Sequence, residues 1–344
     1  MTNKGPGASS EWTAGDLLRA TDLLDSMQEL RFTPSLYFGI TMTGFIGHSA
    51  TIYSLLSADG TIYNSTDSGV TWTSKSTVAD TNSFIRICRG TVARGIVVET
   101  TATAETVFTS DSGATWTAAT SASFATQIND VDFPVSGLIV VGGDDDVGAK
   151  HIVFSTDSGT TWTDATTAPT TKIAAVSMLD GTTGYAIGVD GLMWKTTNAA
   201  VTWTSTTHDI GAVDESAGSS IFTLTSTTVA IAYVISGSAA CRISLYDNTA
   251  GTFTTKWNMG GLYTRIFGLQ KMTDGALITG YVHDSNGKYV ILRSTDSGVT
   301  WSMSSEQSIE INTAIRNYKC AIGEYGSNKC AMAATSNLVK FNMA

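Results

Sequence analysis

The octapeptide Ser65-Thr66-Asp67-Ser68-Gly69-Val70-Thr71-Trp72 returns along the chain at a nearly constant interval, which confines the fold to repeat architectures. It comes back as Thr109 to Trp116, Ser155 to Trp162 and Ser294 to Trp301. A weathered copy, Thr196 to Trp203, has Asn198 in place of Asp and Ala200 in place of Gly. The tryptophans at 72, 116, 162, 203 and 301 lie 44, 46, 41 and 98 residues apart, so the last gap predicts one hidden copy. Tyr246 to Phe253 fills that gap as a degenerate copy, with Asp247 as its acidic residue and Phe253 in the place of the tryptophan.

Between boxes the pattern is one of short β-rich runs separated by Gly, Asp, Asn and Ser turns. One interval reads Ile173 to Leu179, the turn Asp180-Gly181, Tyr185 to Val189, the turn Asp190-Gly191, Leu192 to Thr196, the box, then Val201 to Ser205. Four strands in about 40 residues, repeated, are the signature of a β-propeller. The 309 residues from Leu36 to Ala344 hold about seven such intervals at about 45 residues each. The expected fold is therefore all-β, a seven-bladed β-propeller of four-stranded antiparallel blades. The last interval stops one strand short, and Leu36 to Met42 is expected to supply its outer strand, closing the ring and hiding strand edges.

The box falls between the third and fourth strands, where it reads as a turn. Gly69, Gly113, Gly159 and Gly298 can take positive φ, and Asp67, Asp111, Asp157 and Asp296 can accept from amides farther along the turn. Trp72, Trp116, Trp162, Trp203 and Trp301 open the outer strand and are expected to bury against the sheet. The phrase S-x-D-x-G-x-T-W resembles the Asp-box, or bacterial neuraminidase repeat, of sialidases and many other propellers. The resemblance implies a fold element on the face away from the ligand, carried by proteins of widely different activity.

Ahead of the repeats stands a segment of another kind. Residues 1–12 are Gly-, Ser- and Thr-rich, as in a flexible arm, and residues 13–31 carry a helical pattern, set before a propeller at 35–344. Thr13 and Asp16 form a variant capping box, and Leu17, Ala20, Leu24, Met27 and Arg31 mark a seam that Leu23 and Leu30 widen; Pro34 ends the helix. A helix this short is marginal alone, so the seam packs on the propeller, on copies of itself or on a partner.

Composition narrows the function. Thirty acidic against 20 basic side chains give a net charge of −10, which repels phosphate backbones and anionic membranes. No apolar run of spanning length occurs, and Met1 to Glu11 lacks the apolar core of a signal peptide. Cys88, Cys241, Cys320 and Cys330 form no C-x-x-C pair and read as free thiols, the alternative being that Cys320 and Cys330 face each other on neighbouring strands.

A sialidase-like glycosidase, the enzymatic alternative, needs an arginine triad, a tyrosine nucleophile with a supporting glutamate, and an acidic proton shuttle. The F/Y-R-I-P phrase of that family has an echo at Phe84-Ile85-Arg86-Ile87-Cys88, out of register and without the proline. Arg242, Arg265, Arg293 and Arg316 lie in expected strands, and Glu99, Glu105 and Glu215 lack a partner at a telling spacing, so no catalytic residue is assigned. No cofactor or metal is expected. The acidic loop Gly142 to Gly148, with Asp144, Asp145 and Asp146, lacks a D-x-D-x-D-G calcium phrase and reads as a solvated turn. It and the matching loop with His283, Asp284 and Asn286 open on the face opposite the boxes and are the candidate partner contacts.

The run Glu11-Trp12-Thr13-Ala14-Gly15-Asp16, continued through Leu24, resembles a W-T-A-G-D/E-x-x-x-A-x-x-L phrase near the start of many tailed-phage tail and appendage proteins. The resemblance implies a non-enzymatic virion protein, such as a tail fibre, receptor-binding or decoration protein. Its arm and helix, through Leu17, Leu24, Met27 and Leu30, would join other virion proteins while the propeller meets a host glycan or protein. The chain would then be assembled in the host cytoplasm and reside in the virion. A third reading, a propeller similar to the one that helps build photosystem II, fits less well, because that family carries a basic, arginine-rich patch.

Overall fold

The computed structural model describes residues 36–37, 42–49, 51–57, 59–77, 84–89, 94–99, 106–120, 127–144, 151–214, 218–238, 240–260, 265–272, 274–283, 288–303, 307–308, 322–324, 329–334 and 337–342. The expected helix at 13–31, with Leu17, Leu24, Met27 and Leu30, lies outside them. Among the described residues every regular element is a strand.

The chain enters through β1 (Leu36–Tyr37) and then builds antiparallel sheets of strands consecutive in sequence. The first blade is β2 (Met42–Gly47), β3 (Tyr53–Ser57), β4 (Thr61–Ser65) and β5 (Thr73–Thr77). The second is β6 (Phe84–Arg89), β7 (Gly95–Glu99), β8 (Thr106–Thr109) and β9 (Thr117–Ala119). The third is β10 (Gln127–Val135), β11 (Leu138–Asp144), β12 (Ile152–Ser155) and β13 (Thr163–Asp164). The fourth is β14 (Ile173–Met178), β15 (Gly184–Gly188), β16 (Leu192–Thr196) and β17 (Thr204–Asp209). The fifth is β18 (Ser220–Thr223), β19 (Thr228–Val234), β20 (Cys241–Asp247) and β21 (Thr252–Asn258). The sixth is β22 (Arg265–Lys271), β23 (Leu277–His283) and β24 (Lys288–Ser294), whose outer edge is covered by two short strands, β25 (Ser302–Met303) and β26 (Gln307–Ser308).

The expectation of a seven-bladed propeller is corrected here. The propeller has six blades of consecutive strands, and the remaining sheet is a splice of the two ends of the described chain. That sheet has the order β1, β29 (Asn337–Asn342), β28 (Lys329–Ala334), β27 (Ile322–Glu324), with Leu36 opposite Leu338 and Tyr37 opposite Asn337. Dividing the span by the repeat length counted this sheet as a seventh blade, because length alone does not say whether the strands of a sheet are neighbours in sequence; the outer strand expected from Leu36 onward is present as Leu36–Tyr37. β27 lies against both β2 and β22, so the splice sits between the first and sixth blades. The short strand at Leu36–Tyr37 takes the outer position that the missing strand left open.

Within a blade the residues change character from axis to rim. In the first blade β3 is buried throughout, β4 is mixed, and β5, Thr-Ser-Lys-Ser-Thr, is mostly exposed. The core lies between blades, because successive side chains on a strand point to opposite faces of the sheet. Val140 and Ile152 of the third blade pack with Ile173, Val176 and Trp203 of the fourth. Val141 and Val153, one residue along, pack instead with Ile96 of the second blade. Tyr185 and Ile187 then join Ile231 and Tyr246, and Ile243 joins Tyr281 and Trp301, carrying the same alternation around the ring.

Candidate functional site

The boxes form one rim of the propeller. In the first, the Ser65 hydroxyl donates to Asp67 Oδ1 at 2.8 Å and accepts from the Gly69 amide at 2.8 Å. Asp67 Oδ1 also accepts from the Thr71 amide at 2.9 Å, while Oδ2 accepts from the Thr71 hydroxyl at 2.6 Å. The bonds from the residue four positions on recur at Asp111, Asp157 and Asp296, from Thr115, Thr161 and Thr300. The tip is a tight turn with two successive positive φ values, 62° at Ser68 and 78° at Gly69, conformations that disfavour a side chain at the second position.

These bonds stabilise the ionised carboxylates. The Thr71 hydroxyl and amide hold Asp67 at about 2, and the Thr300 hydroxyl and amide do the same for Asp296. The amide and hydroxyl of Thr161 lower Asp157. At Asp111 partial burial works upward, but the Thr115 and Thr109 bonds together win and the group is lowered.

The weathered copy keeps the shape by other means. Asn198 Oδ1 accepts from the Thr202 amide at 3.0 Å, and its Nδ2 donates to the Thr202 hydroxyl at 2.8 Å, reversing the bond that an aspartate would receive. Ala199 and Ala200 hold positive φ of 58° and 67° in this turn. The copy expected at Asp247 and Phe253 is built differently. Asp247 accepts from the amides of Thr249 and Ala250, two and three residues on, and Asp247 pairs directly with Thr252 across a short hairpin. Phe253 does serve as an aromatic anchor, its ring 4.7 Å from that of Tyr246.

The boxes also tie neighbouring blades together. Thr120 donates from its amide to Gly159 O at 2.9 Å, while Trp162 Nε1 donates to Thr120 O at 2.7 Å. Asn64 Nδ2 reaches the Ser112 carbonyl of the second box, and Thr166 reaches Val201 of the fourth. The box tryptophans are unequally buried: Trp203 and Trp301 are enclosed, while Trp72, Trp116 and Trp162 are half-buried.

Strand direction alternates, so the connection from second to third strand leaves each blade on the end opposite its box. Asp144 does not lie in a solvated turn on that end; it closes β11, is 4% exposed and forms an ion pair with Lys172. Asp145 and Asp146 lie outside the described residues, as do Asp284 and Asn286, while His283 ends β23 opposite Lys288. Arg293 is bound to Asp274 at 2.6 Å. Cys241 is buried and stands outside any disulfide.

What the sequence reading missed is a line of polar side chains on the inner strands. Asp130 Oδ2 accepts from the Val176 amide at 3.0 Å, and Asp132 Oδ2 accepts from the Met178 amide at 2.7 Å. Farther round, the Thr223 amide bonds Ser177 Oγ at 3.0 Å, and the Leu269 amide bonds Ser220 Oγ at 3.0 Å. In each case an inner-strand amide is capped by the inner strand of the preceding blade, which stitches the seam. Asn129 Nδ2 adds a bond to Ile173 O at 2.9 Å. The visible signal was Asn-Asp-Val-Asp inside an otherwise apolar run, Gln127 to Val135.

No family model matches the chain, and no curated protein matches it. Solved structures match its fold. A structure described as YCF48 bound to D1 peptide is 14% identical over 92% of this chain and 95% of that one, with a TM-score of 0.56. YCF48 from Cyanidioschyzon merolae is 15% identical over 91% and 99%, with a TM-score of 0.58. A GH74 xyloglucanase from Xanthomonas campestris is 12% identical over 91% of this chain, with a TM-score of 0.60; the match covers 53% of the xyloglucanase. At these identities the likeness is one of fold, a β-propeller shared by proteins of different function.

Proposed function

We propose that this chain is a non-enzymatic structural protein of a tailed-phage virion that displays its propeller for surface recognition. The observation that carries the reading is the commitment of the box aspartates: each full copy spends both carboxylate oxygens on its own turn. The box rim is then scaffold, and recognition of a host glycan or protein falls to the opposite face, where the connections after β11 and β23 emerge. The phrase from Glu11 to Leu24 supports attachment to the particle through residues 13–31. Many copies on one particle would turn weak single contacts into firm attachment.

Two measurements test this. A chain lacking residues 1–31 is expected to fold, as judged by circular dichroism, yet to be absent from purified particles; normal incorporation overturns the docking role. The full chain, incubated with host envelope polysaccharide, is expected to bind without releasing sugar. Release of reducing ends, abolished by a loop-face carboxylate substitution, would replace the recognition reading with that of a glycosidase.

A further inference from the structure

Among the described residues the large hydrophobic side chains that stand exposed are Val70, Leu179, Val299 and Met303, and all four lie at one end of the ring. Val70 and Val299 sit at the tips of the first and sixth boxes, 72% and 50% exposed, and Met303 lies in β25, two residues after Trp301. Leu179 belongs to the connection between the first and second strands of the fourth blade, which emerges at the same end because strand direction alternates. Hydrogen bonds hold such connections against the boxes: the Ala199 amide donates to Thr182 O at 3.0 Å, the Ser68 amide to Thr51 O at 2.9 Å and the Ser158 amide to Gly137 O at 2.8 Å. Single exposed hydrophobics need no explanation, but their gathering at one end does.

Three of the four flank the splice, Val70 on the first blade, Val299 and Met303 on the sixth. The spliced sheet also gives the direction in which the chain enters the ring. β29 is its third strand counted outward from β27, and third strands run toward the box end. β1 is antiparallel to β29, so the chain enters β1 from the box end and leaves it toward β2 at the other.

We propose that the box end around the splice is the surface by which the propeller seats on its particle, its partner a protein surface apolar at the centre and neutral or basic at the margin. This seating rests on the virion reading above and gives it an orientation, with the boxes inward and the connections after β11 and β23 outward. Residues 13–31, which that reading assigns to docking, precede a strand entered from this same end. Covering Val70, Val299 and Met303 removes apolar surface from water, which favours contact. The charged groups nearby are already engaged: Asp67 and Asp296 hold the Thr71 and Thr300 hydroxyls, and Arg293 is bound to Asp274. Contact therefore breaks none of these bonds, while the negative charge of the boxes favours a basic margin on the partner.

The test places single cysteines in the full chain at Val70 and Val299 and, as a control at the other end, at Ser236, exposed in the connection between β19 and β20. Maleimide labelling of the free chain is compared with that of purified particles, the wild type giving the background of the four native cysteines. All three sites should label in the free chain. On particles Val70→Cys and Val299→Cys should label at least about tenfold less, with Ser236→Cys unchanged. The double variant Val70→Lys, Val299→Lys, folded by circular dichroism, should join particles about tenfold less well, because its charges are desolvated against an apolar partner. Labelling on particles as free at Val70→Cys and Val299→Cys as at Ser236→Cys overturns the seating, and decides alone should the lysine variant not fold. Normal incorporation of a folded lysine variant overturns it too, and lost host adsorption alongside would assign recognition to the box end instead. Absence of the wild-type chain from particles defeats the virion reading itself.

Discussion

Trp162 donates its indole Nε1–H to the carbonyl of Thr120, 2.7 Å away on the preceding blade, while Trp72, Trp203 and Trp301 each donate to a carbonyl within their own box. One residue type at one repeat position therefore does two jobs. In three copies it closes a turn, and in one it joins two blades.

Replacing Trp162 with Phe keeps most of the ring and removes the bond to Thr120. The expected cost is about 0.5–1.5 kcal/mol, read as a lower urea midpoint. Trp72→Phe breaks a bond inside one turn and should leave amide exchange at the junction of the second and third blades unchanged, whereas Trp162→Phe should speed it.

Truncation of the fully enclosed Trp203 to Ala should cost about 3–5 kcal/mol, since its cavity opens into the core between the third and fourth blades. Trp116 is half-buried, so Trp116→Ala should lower the melting temperature by less and leave the proposed recognition on the opposite face intact. Equal losses for the two variants, by calorimetry, would contradict the burial difference.

Asp67 and Asp296 titrate at about 2, below the usual 3.8, because they accept the Thr71 and Thr300 hydroxyls and amides. Their contribution is present above 3.8 and is lost as pH falls through about 2. The double variant Asp67→Asn, Asp296→Asn should show a shallower loss of stability between pH 4 and 2 than the wild type, followed by fluorescence. In the weathered box, Asn198→Asp should steepen that same acid limb.

Gly142 lies where β11 meets the fourth blade, and a Cβ placed there would stand 2.6 Å from Ile173 Cγ2 and 2.8 Å from Val176 Cγ1. Gly142→Ala should destabilise by about 1–3 kcal/mol through overpacking. Pairing it with Ile173→Val, which frees a methyl group's space near the contact, should recover part of the loss in a double-mutant cycle.

By itself the sequence determined the unit and its interval. An eight-residue turn whose Asp, Gly, Thr and Trp bond mostly to one another is local chemistry, so it is legible as text. The four-strand grammar is legible for the same reason: Ile173 to Leu179 appears as Ile173–Met178, and Leu192 to Thr196 appears unchanged. Tertiary structure decided what depends on neighbours distant in sequence. That the last sheet borrows its outer strand from the start of the repeats was legible as a shortfall of one strand, but its register, Leu36 opposite Leu338, was not. Asp144 read as a solvated turn residue because the lysine that pairs with it lies in another blade. Asp247 stands one place ahead of where a box aspartate would fall and has Gly251, not a threonine, four residues on, so its carboxylate caps the amides of Thr249 and Ala250 instead. Asp130 and Asp132 looked like interruptions of an apolar strand, since the amides they cap lie 46 residues away, one blade along. A turn writes its own partners into adjacent residues, whereas a seam acquires them only when the ring closes.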